Sequence, residues 1–230
     1  MKTAFVCNSH DNVNRVYGAG RKERIARISD LVDGLITEDN FEQHSDELKD
    51  VEVIFSTWGM PLLSETRLNC MPKLRAVMYA AGSVKGFAEP MFKRGIQVVS
   101  GWAANAYPVA EFTLSQILLS NKGYFRNLRG FKSKETFQSW RNPAPKGNYG
   151  ESVAILGAGQ VGRMVIEMLN LHTLKVFVYD PYLSEDTAET MGVKKVSLEE
   201  AFAQAYTVSN HMPDLPPKFP FFYNVFKFVC

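Results

Sequence analysis

Three cysteines in 230 residues, Cys7, Cys70 and Cys230, lie far apart and without paired spacing. That scarcity argues against a disulfide framework or a metal site and fits a reducing, cytoplasmic compartment. No apolar stretch approaches the roughly 20 residues that a membrane helix needs. The longest apolar tract, at the C-terminal end, is interrupted by Asn224 and Lys227. The run from Thr3 to Cys7 is too short for the core of a signal peptide and stops at Asn8. An excess of one charge is missing too. Lys and Arg total 26 against 24 Asp and Glu, a net charge of +2, too balanced to argue for a nucleic-acid partner or a membrane surface. There is no internal repeat and no low-complexity tract. What is present is ordinary globular material, 46% hydrophobic and 22% charged, with ample apolar surface for a core. A chain of this length holds one large domain or two small ones.

Short apolar runs alternate with longer mixed stretches. Strands are expected over 2–7, 51–55, 75–79 and 96–99. A helix is expected over 21–32, with Ile25, Ile28 and Leu31/Val32 as its apolar face. The basic residues Arg21, Lys22, Arg24 and Arg27 on its other side read either as an anion site or, more plainly, as a solvated helix face. Ser64 reads as an N-cap, and a short helix is expected over 89–93, stopped by Gly95. Asn105 and Pro108 read as start signals for a longer helix with the apolar stripe Val109, Phe112, Ile117 and Leu118. Residues 133–150, with Pro143, Pro145, Gly147 and Gly150, read as a loop before a second unit. Strand–helix alternation implies parallel pairing with right-handed crossovers, hence an α/β architecture.

The second unit opens on the apolar run 152–156, followed at once by Gly157-Ala158-Gly159-Gln160-Val161-Gly162. A helix is expected next, with Val161, Val165, Met168 and Leu169 on one face, and then a strand over 175–179 ending at Asp180. A lone GxGxxG is weak evidence. Here a strand precedes it, a helix follows, and an acid lies 18 residues beyond the last glycine. Gly157 permits a tight turn, Gly159 lets the backbone approach a pyrophosphate, and Gly162 lets the helix pack closely on the strand. The helix N-terminus offers free N–H groups to the phosphates, and Asp180 would accept hydrogen bonds from the adenosine ribose. The competing reading is a glycine-rich turn without a dinucleotide. Asp180 also predicts NAD over NADP. Two like charges ~4 Å apart at an effective dielectric of ~20 repel by up to ~4 kcal/mol, and Pro181-Tyr182 supplies no arginine to reverse this.

Taken in order, these segments resemble the NAD-dependent D-isomer-specific 2-hydroxyacid dehydrogenases. Residues 74–84 with Gly95-Ile96 are similar to the family's strand and loop around the substrate carboxylate. Asn105 to Val109-Ala110-Glu111 resembles the N-x-x-x-V-A-E that starts its interdomain helix. After the glycine turn and Asp180, Val208-Ser209-Asn210-His211-Met212-Pro213 resembles the strand and H-x-P turn beside the nicotinamide ribose. The resemblance covers roughly residues 50–216. It implies a flavodoxin-like substrate domain over 1–101 and a Rossmann-type NAD-binding domain over 102–230, incomplete at its C-terminal end. It implies hydride transfer between nicotinamide and a small 2-hydroxy or 2-oxo acid, and a homodimer joined through the cofactor domain. The substrate carboxylate would be held by the backbone N–H groups of Ala81, Gly82 and Ser83; an ordinary tight turn explains that stretch equally well. Gly157, Gly159, Gln160, Val161, Gly162, Asp180, His211, Met212 and Pro213 would contact the cofactor.

In the family an arginine polarises the keto group, and a histidine oriented by a glutamate moves the proton, all three downstream of the H-x-P turn. The sequence runs 17 residues past Pro213, and none of the three segments is recognisable there. The expectation is therefore a chain with no catalytic residue of its own, one that binds NAD and turns over poorly. A catalytically inactive NAD-binding protein is the other reading. His211 is titratable, yet its place in the turn matches a cofactor contact; His10, His44 and His172 stand in no motif. The tail from Lys218 to Cys230 is aromatic-rich and matches no family segment.

Overall fold

A parallel strand buried on both faces reads as a short continuous apolar run; nine parallel strands are described, and the run 152–156 is buried throughout. The computed structural model describes residues 1–136 and 146–213. The polypeptide divides into two compact units, Met1–Asn105 and Ala106–Cys230. The division falls inside a helix, a turn beyond the expected boundary at 101/102.

The first unit holds β1 (Lys2–Phe5), β2 (Asp30–Leu31), β3 (Val51–Ser56), β4 (Ala76–Tyr79) and β5 (Gln97–Ser100). They form one parallel sheet in the order β2-β1-β3-β4-β5, the flavodoxin-like order 2-1-3-4-5. Helices α1 (His10–Tyr17), α2 (Arg21–Ile28), α3 (Ser45–Leu48), α4 (Glu65–Asn69) and α5 (Glu89–Lys93) connect them. Ile54 and Val77 from the sheet pack with Leu48, Leu68 and Met91 from α3, α4 and α5 in the main core. A smaller cluster on the other face joins Phe5 to Val13 and Tyr17 of α1.

The second unit opens on α6 (Trp102–Asn121), most of which it contains, and α7 (Tyr124–Gly130). Its strands are β6 (Ser152–Leu156), β7 (Lys175–Tyr179), β8 (Lys194–Lys195) and β9 (Thr207–Asn210), parallel in the order β8-β7-β6-β9. That is the 3-2-1-4 start of a dinucleotide-binding sheet. Helices α8 (Gln160–Leu169), α9 (Glu185–Thr190) and α10 (Leu198–Gln204) are its crossovers. All five residues of β6 are buried, and Val165, Ile166 and Leu169 of α8 close one side of it.

Three sequence expectations are corrected. The helix expected over 21–32 ends at Ile28, because the Ser29 hydroxyl donates to the Ile25 carbonyl (2.8 Å) and the chain then joins the edge of β1. Asp30 N–H donates to the Met1 carbonyl and Val32 N–H to that of Thr3. Leu31 is thus strand, and of the expected apolar face of α2 only Ile25 packs, half-buried, against the Phe5 cluster, whereas Ile28 is 78% exposed. Second, α6 starts at Trp102, not near Asn105. Asn105 N–H already bonds to the Gly101 carbonyl, and Pro108 lies inside the helix. Its buried face is Ala106, Ala110, Ile117 and Asn121, whereas Val109 and Phe112 are exposed. Third, α1 had no counterpart in the sequence reading. Ser9 caps it, its side chain accepting from Asn12 N–H. Pro143 and Pro145, Leu215-Pro216 and the aromatic tail with Cys230 lie outside the described residues.

Candidate functional site

At the end of β6 the backbone reverses at Gly157, with φ +94° and its N–H on the Tyr179 carbonyl (2.7 Å). A Cβ there would stand 2.9 Å from Met212 Cγ and 3.1 Å from the His211 and Met212 backbone. Glycine is therefore demanded twice, by conformation and by space. At Gly162 a Cβ would lie 2.0 Å from the Gly157 carbonyl oxygen, so this glycine sets how closely α8 approaches the turn. Gly159 differs. Its φ of −72° suits any residue, and a Cβ would meet nothing within 4 Å. The fold does not require a glycine at 159; a ligand approaching the backbone would.

Gly159 is also the N-cap of α8, and no side chain caps that helix. The first helical bond runs from Arg163 N–H to the Gly159 carbonyl (2.9 Å). The N–H groups of Gln160, Val161 and Gly162 precede it and are left for a ligand or water. With the helix dipole they suit an anion.

Asp180 joins this turn from β7. Its Oδ2 accepts from Ala158 N–H at 2.7 Å and its Oδ1 from Tyr182 N–H at 2.8 Å. The carboxylate pins the glycine loop to the end of β7. Each oxygen keeps a second lone pair for a hydroxyl donor.

The segment after β9 closes the other side. His211 N–H donates to the Leu156 carbonyl (2.7 Å), and Met212 N–H to Asn210 Oδ1 (3.0 Å). His211 Nε2 lies 2.9 Å from Ser209 Oγ. Burial holds its imidazole below the usual histidine range, favouring the neutral ring. Gly157, Asp180 and His211-Met212 thus meet around one turn, while Pro213 is exposed.

In the first unit, Ala81, Gly82 and Ser83 follow β4. Ser100 Oγ donates to the Ala81 carbonyl (2.9 Å) and to that of Gly82. With those carbonyls occupied, the N–H groups of Ala81, Gly82 and Ser83 find no acceptor among the described residues. A Cβ at Gly82 would stand 3.1 Å from Asn105 Nδ2.

Residues 117–219 match the family model of the D-isomer specific 2-hydroxyacid dehydrogenase NAD binding domain. D-3-phosphoglycerate dehydrogenase of Mycobacterium tuberculosis is 26% identical over 152 residues, covering 65% of this chain and 28% of that protein. The enzyme of the same name from Bacillus subtilis is 26% identical over 188 residues, 80% of this chain and 34% of its own length. Among solved structures, a phosphoglycerate oxidoreductase from Rhizobium etli superposes with a TM-score of 0.69 at 22% identity, over 94% of this chain and 66% of that one. An NAD-dependent formate dehydrogenase from Staphylococcus aureus in complex with NAD gives 0.67 at 20% identity, with the same coverages.

Residues 117–219 of this chain are similar to the NAD binding domain of the D-isomer specific 2-hydroxyacid dehydrogenases. The chain spans about a third or less of the length of those curated relatives. NAD is the cofactor of the matched domain type.

Some residues of the site escape sequence reasoning. Arg163 Nε donates to the Ala158 carbonyl at 2.8 Å and braces the glycine loop; its only signal is its place directly after Gly162. Lys195 of β8 and Glu185 of α9 line a depression beside Asp180. They are far from the motif in sequence, and only the sheet order brings them to it. Among the described residues no group of His, Cys, Asp and Glu could hold a metal ion, and no helix is long and apolar enough to cross a membrane.

Proposed function

We propose that this chain binds NAD at the 157–162 turn and serves an NAD-dependent oxidoreductase acting on a small 2-hydroxy or 2-oxo acid. The observation that carries this reading is the bare approach at Gly159: a Cβ there would meet nothing within 4 Å, the helix it opens has no side-chain cap, and a carboxylate is fixed beside the turn. Gln160 and Val161 N–H hold the pyrophosphate, Asp180 the adenosine ribose. His211, Met212 and Pro213 wall the cofactor, with His211 kept neutral. When bound, the nicotinamide accepts or gives the hydride at C4. The free N–H groups of Ala81, Gly82 and Ser83 hold the substrate carboxylate, and Asn105 Nδ2 stands beside Gly82. Residues 1–101 are then the substrate domain and 102–230 the cofactor domain. The scattered thiols, Cys7 and Cys70 both unpaired, suit the cytoplasm.

The partner we assign is a second copy of this chain. Trp102, Val109, Phe112 and Leu119 are all exposed on α6, at spacings of 7, 3 and 7. That repeat suits packing against an identical helix.

NADH titration followed by nicotinamide fluorescence tests the reading, with saturable binding expected. Asp180→Ala is expected to weaken NADH and narrow the gap between NADH and NADPH. Folded protein that leaves excess NADH free would sink the cofactor assignment.

A further inference from the structure

A charged pair stands beside Asp180 that the ribose hydroxyls do not themselves require. A depression of about 330 Å³ opens there, lined by Asp180 and Pro181 at the end of β7, Glu185 of α9, Lys195 of β8, and Ser197 and Glu200 of α10. Ser197 and Glu200 are already engaged. The Ser197 side chain accepts from Glu200 N–H (3.1 Å), and Glu200 Oε2 accepts from Ser197 N–H (2.8 Å), a reciprocal cap on α10. Asp180 is held by two backbone donors. The side chain that stays chemically open is Lys195. Among the described residues its ammonium meets only the Glu185 carboxylate, at 3.8 Å, and that glutamate side chain is 77% exposed.

A ribose held at Asp180 would present its 2′ substituent to this depression, which Asp180 itself lines. A 2′-hydroxyl fits without charge, whereas a 2′-phosphate would meet Asp180 and then Lys195, a ready cation for it. Asp180 repulsion alone would thus be partly offset by Lys195. We infer that Glu185 is a second selectivity residue: it neutralises Lys195 and so denies a 2′-phosphate its cation, reinforcing the rejection of NADP begun by Asp180. The inference rests on the reading that Asp180 holds the adenosine ribose.

The test uses the full 230-residue chain as wild type, Glu185→Gln, Lys195→Met and the double variant. NADH affinity is read by fluorescence, and NADPH affinity by displacement of NADH. Removing one exposed charge a few ångströms away is expected to lower the ratio Kd(NADPH)/Kd(NADH) by about three- to tenfold in Glu185→Gln. The double variant is expected to return the ratio to the wild-type value, because the gain acts through Lys195. A ratio that stays within about twofold of wild type in Glu185→Gln, or a fall that persists without Lys195, overturns the inference while the cofactor reading stands. Absence of NADH binding by the folded wild type overturns both.

Discussion

The three glycines of the turn do different physical work, and single alanines separate it. Gly159→Ala puts a methyl into open space at an unstrained φ. Melting temperature should not move, while NADH affinity drops by about tenfold or more, ~1.4 kcal/mol, because the methyl occupies the line of approach to the amides. Gly162→Ala puts the same methyl 2.0 Å from a backbone oxygen. It should lower stability by at least ~2 kcal/mol, the scale of overpacking a rigid contact, and lose NADH as a consequence. Equal melting points for the two variants, measured by calorimetry, would contradict this division. His211 adds a pH dependence. Its folded pKa lies below the ordinary value near 6.5, through burial. Its contribution to stability is therefore complete above pH ~6.5 and is lost as pH falls through that value, where the unfolded chain takes up the proton first. The slope from one such group is at most ~1.4 kcal/mol per pH unit. His211→Asn should flatten the melting-temperature curve between pH 7.5 and 5.5; an unchanged slope would assign the dependence elsewhere. The glycine motif was legible in the sequence because its strand, turn and helix follow one another within a few residues, although the space at Gly157 is set by the distant His211 and Met212. The Ala158–Asp180 bond was not, since the same carboxylate also reads as a ribose ligand alone.

Elements were legible in proportion to how continuous their burial is. β6 and β7 appear at their sequence-expected bounds, and α5 likewise, since a buried apolar run admits few alternatives. α1 escaped because only Val13 and Tyr17 are buried, with Val16 half-buried, and the other five residues of the octet are polar, two of them asparagine, a composition that favours turns when read locally. α6 was placed too late because Pro108, which commonly opens a helix, sits in its second turn. There the proline leaves the Ala104 carbonyl without its i→i−4 donor. Pro108→Ala restores that bond on an exposed face and should stabilise the protein by about 1–3 kcal/mol, read as a higher denaturant midpoint at constant m. A lower midpoint would mean that the proline has a packing role. The reciprocal cap of α10 gives the opposite case. Ser197→Ala removes the acceptor for Glu200 N–H and should cost ~1 kcal/mol.

At the scale of the whole molecule, two parallel sheets with orders 2-1-3-4-5 and 3-2-1-4 follow from strand–helix alternation and right-handed crossovers. The fold class was therefore legible, whereas the surface it leaves for a partner was not. The periodic residues Val109 and Phe112 look like core when only spacing is read, yet the buried face of α6 is Ala106, Ala110, Ile117 and Asn121. The large apolar residues are left on the outside: Trp102 is 54% and Phe112 66% exposed. Among the twenty residues of α6 only Glu111 is charged, so nothing on that stripe opposes its burial. A two-fold pairing would bury each of these side chains twice, once per copy. Burying a phenylalanine contributes roughly 1.5–3 kcal/mol, so Phe112→Lys removes that contribution at two places and adds two desolvated ammonium groups. The dimer constant should weaken by at least about a hundredfold. Sedimentation at micromolar concentration is expected to show a wild-type dimer and a Phe112→Lys monomer whose circular dichroism is unchanged, because the side chain supports no core contact. A wild type that sediments as a monomer, or a variant that stays dimeric, would mean that this stripe is not where the second copy sits.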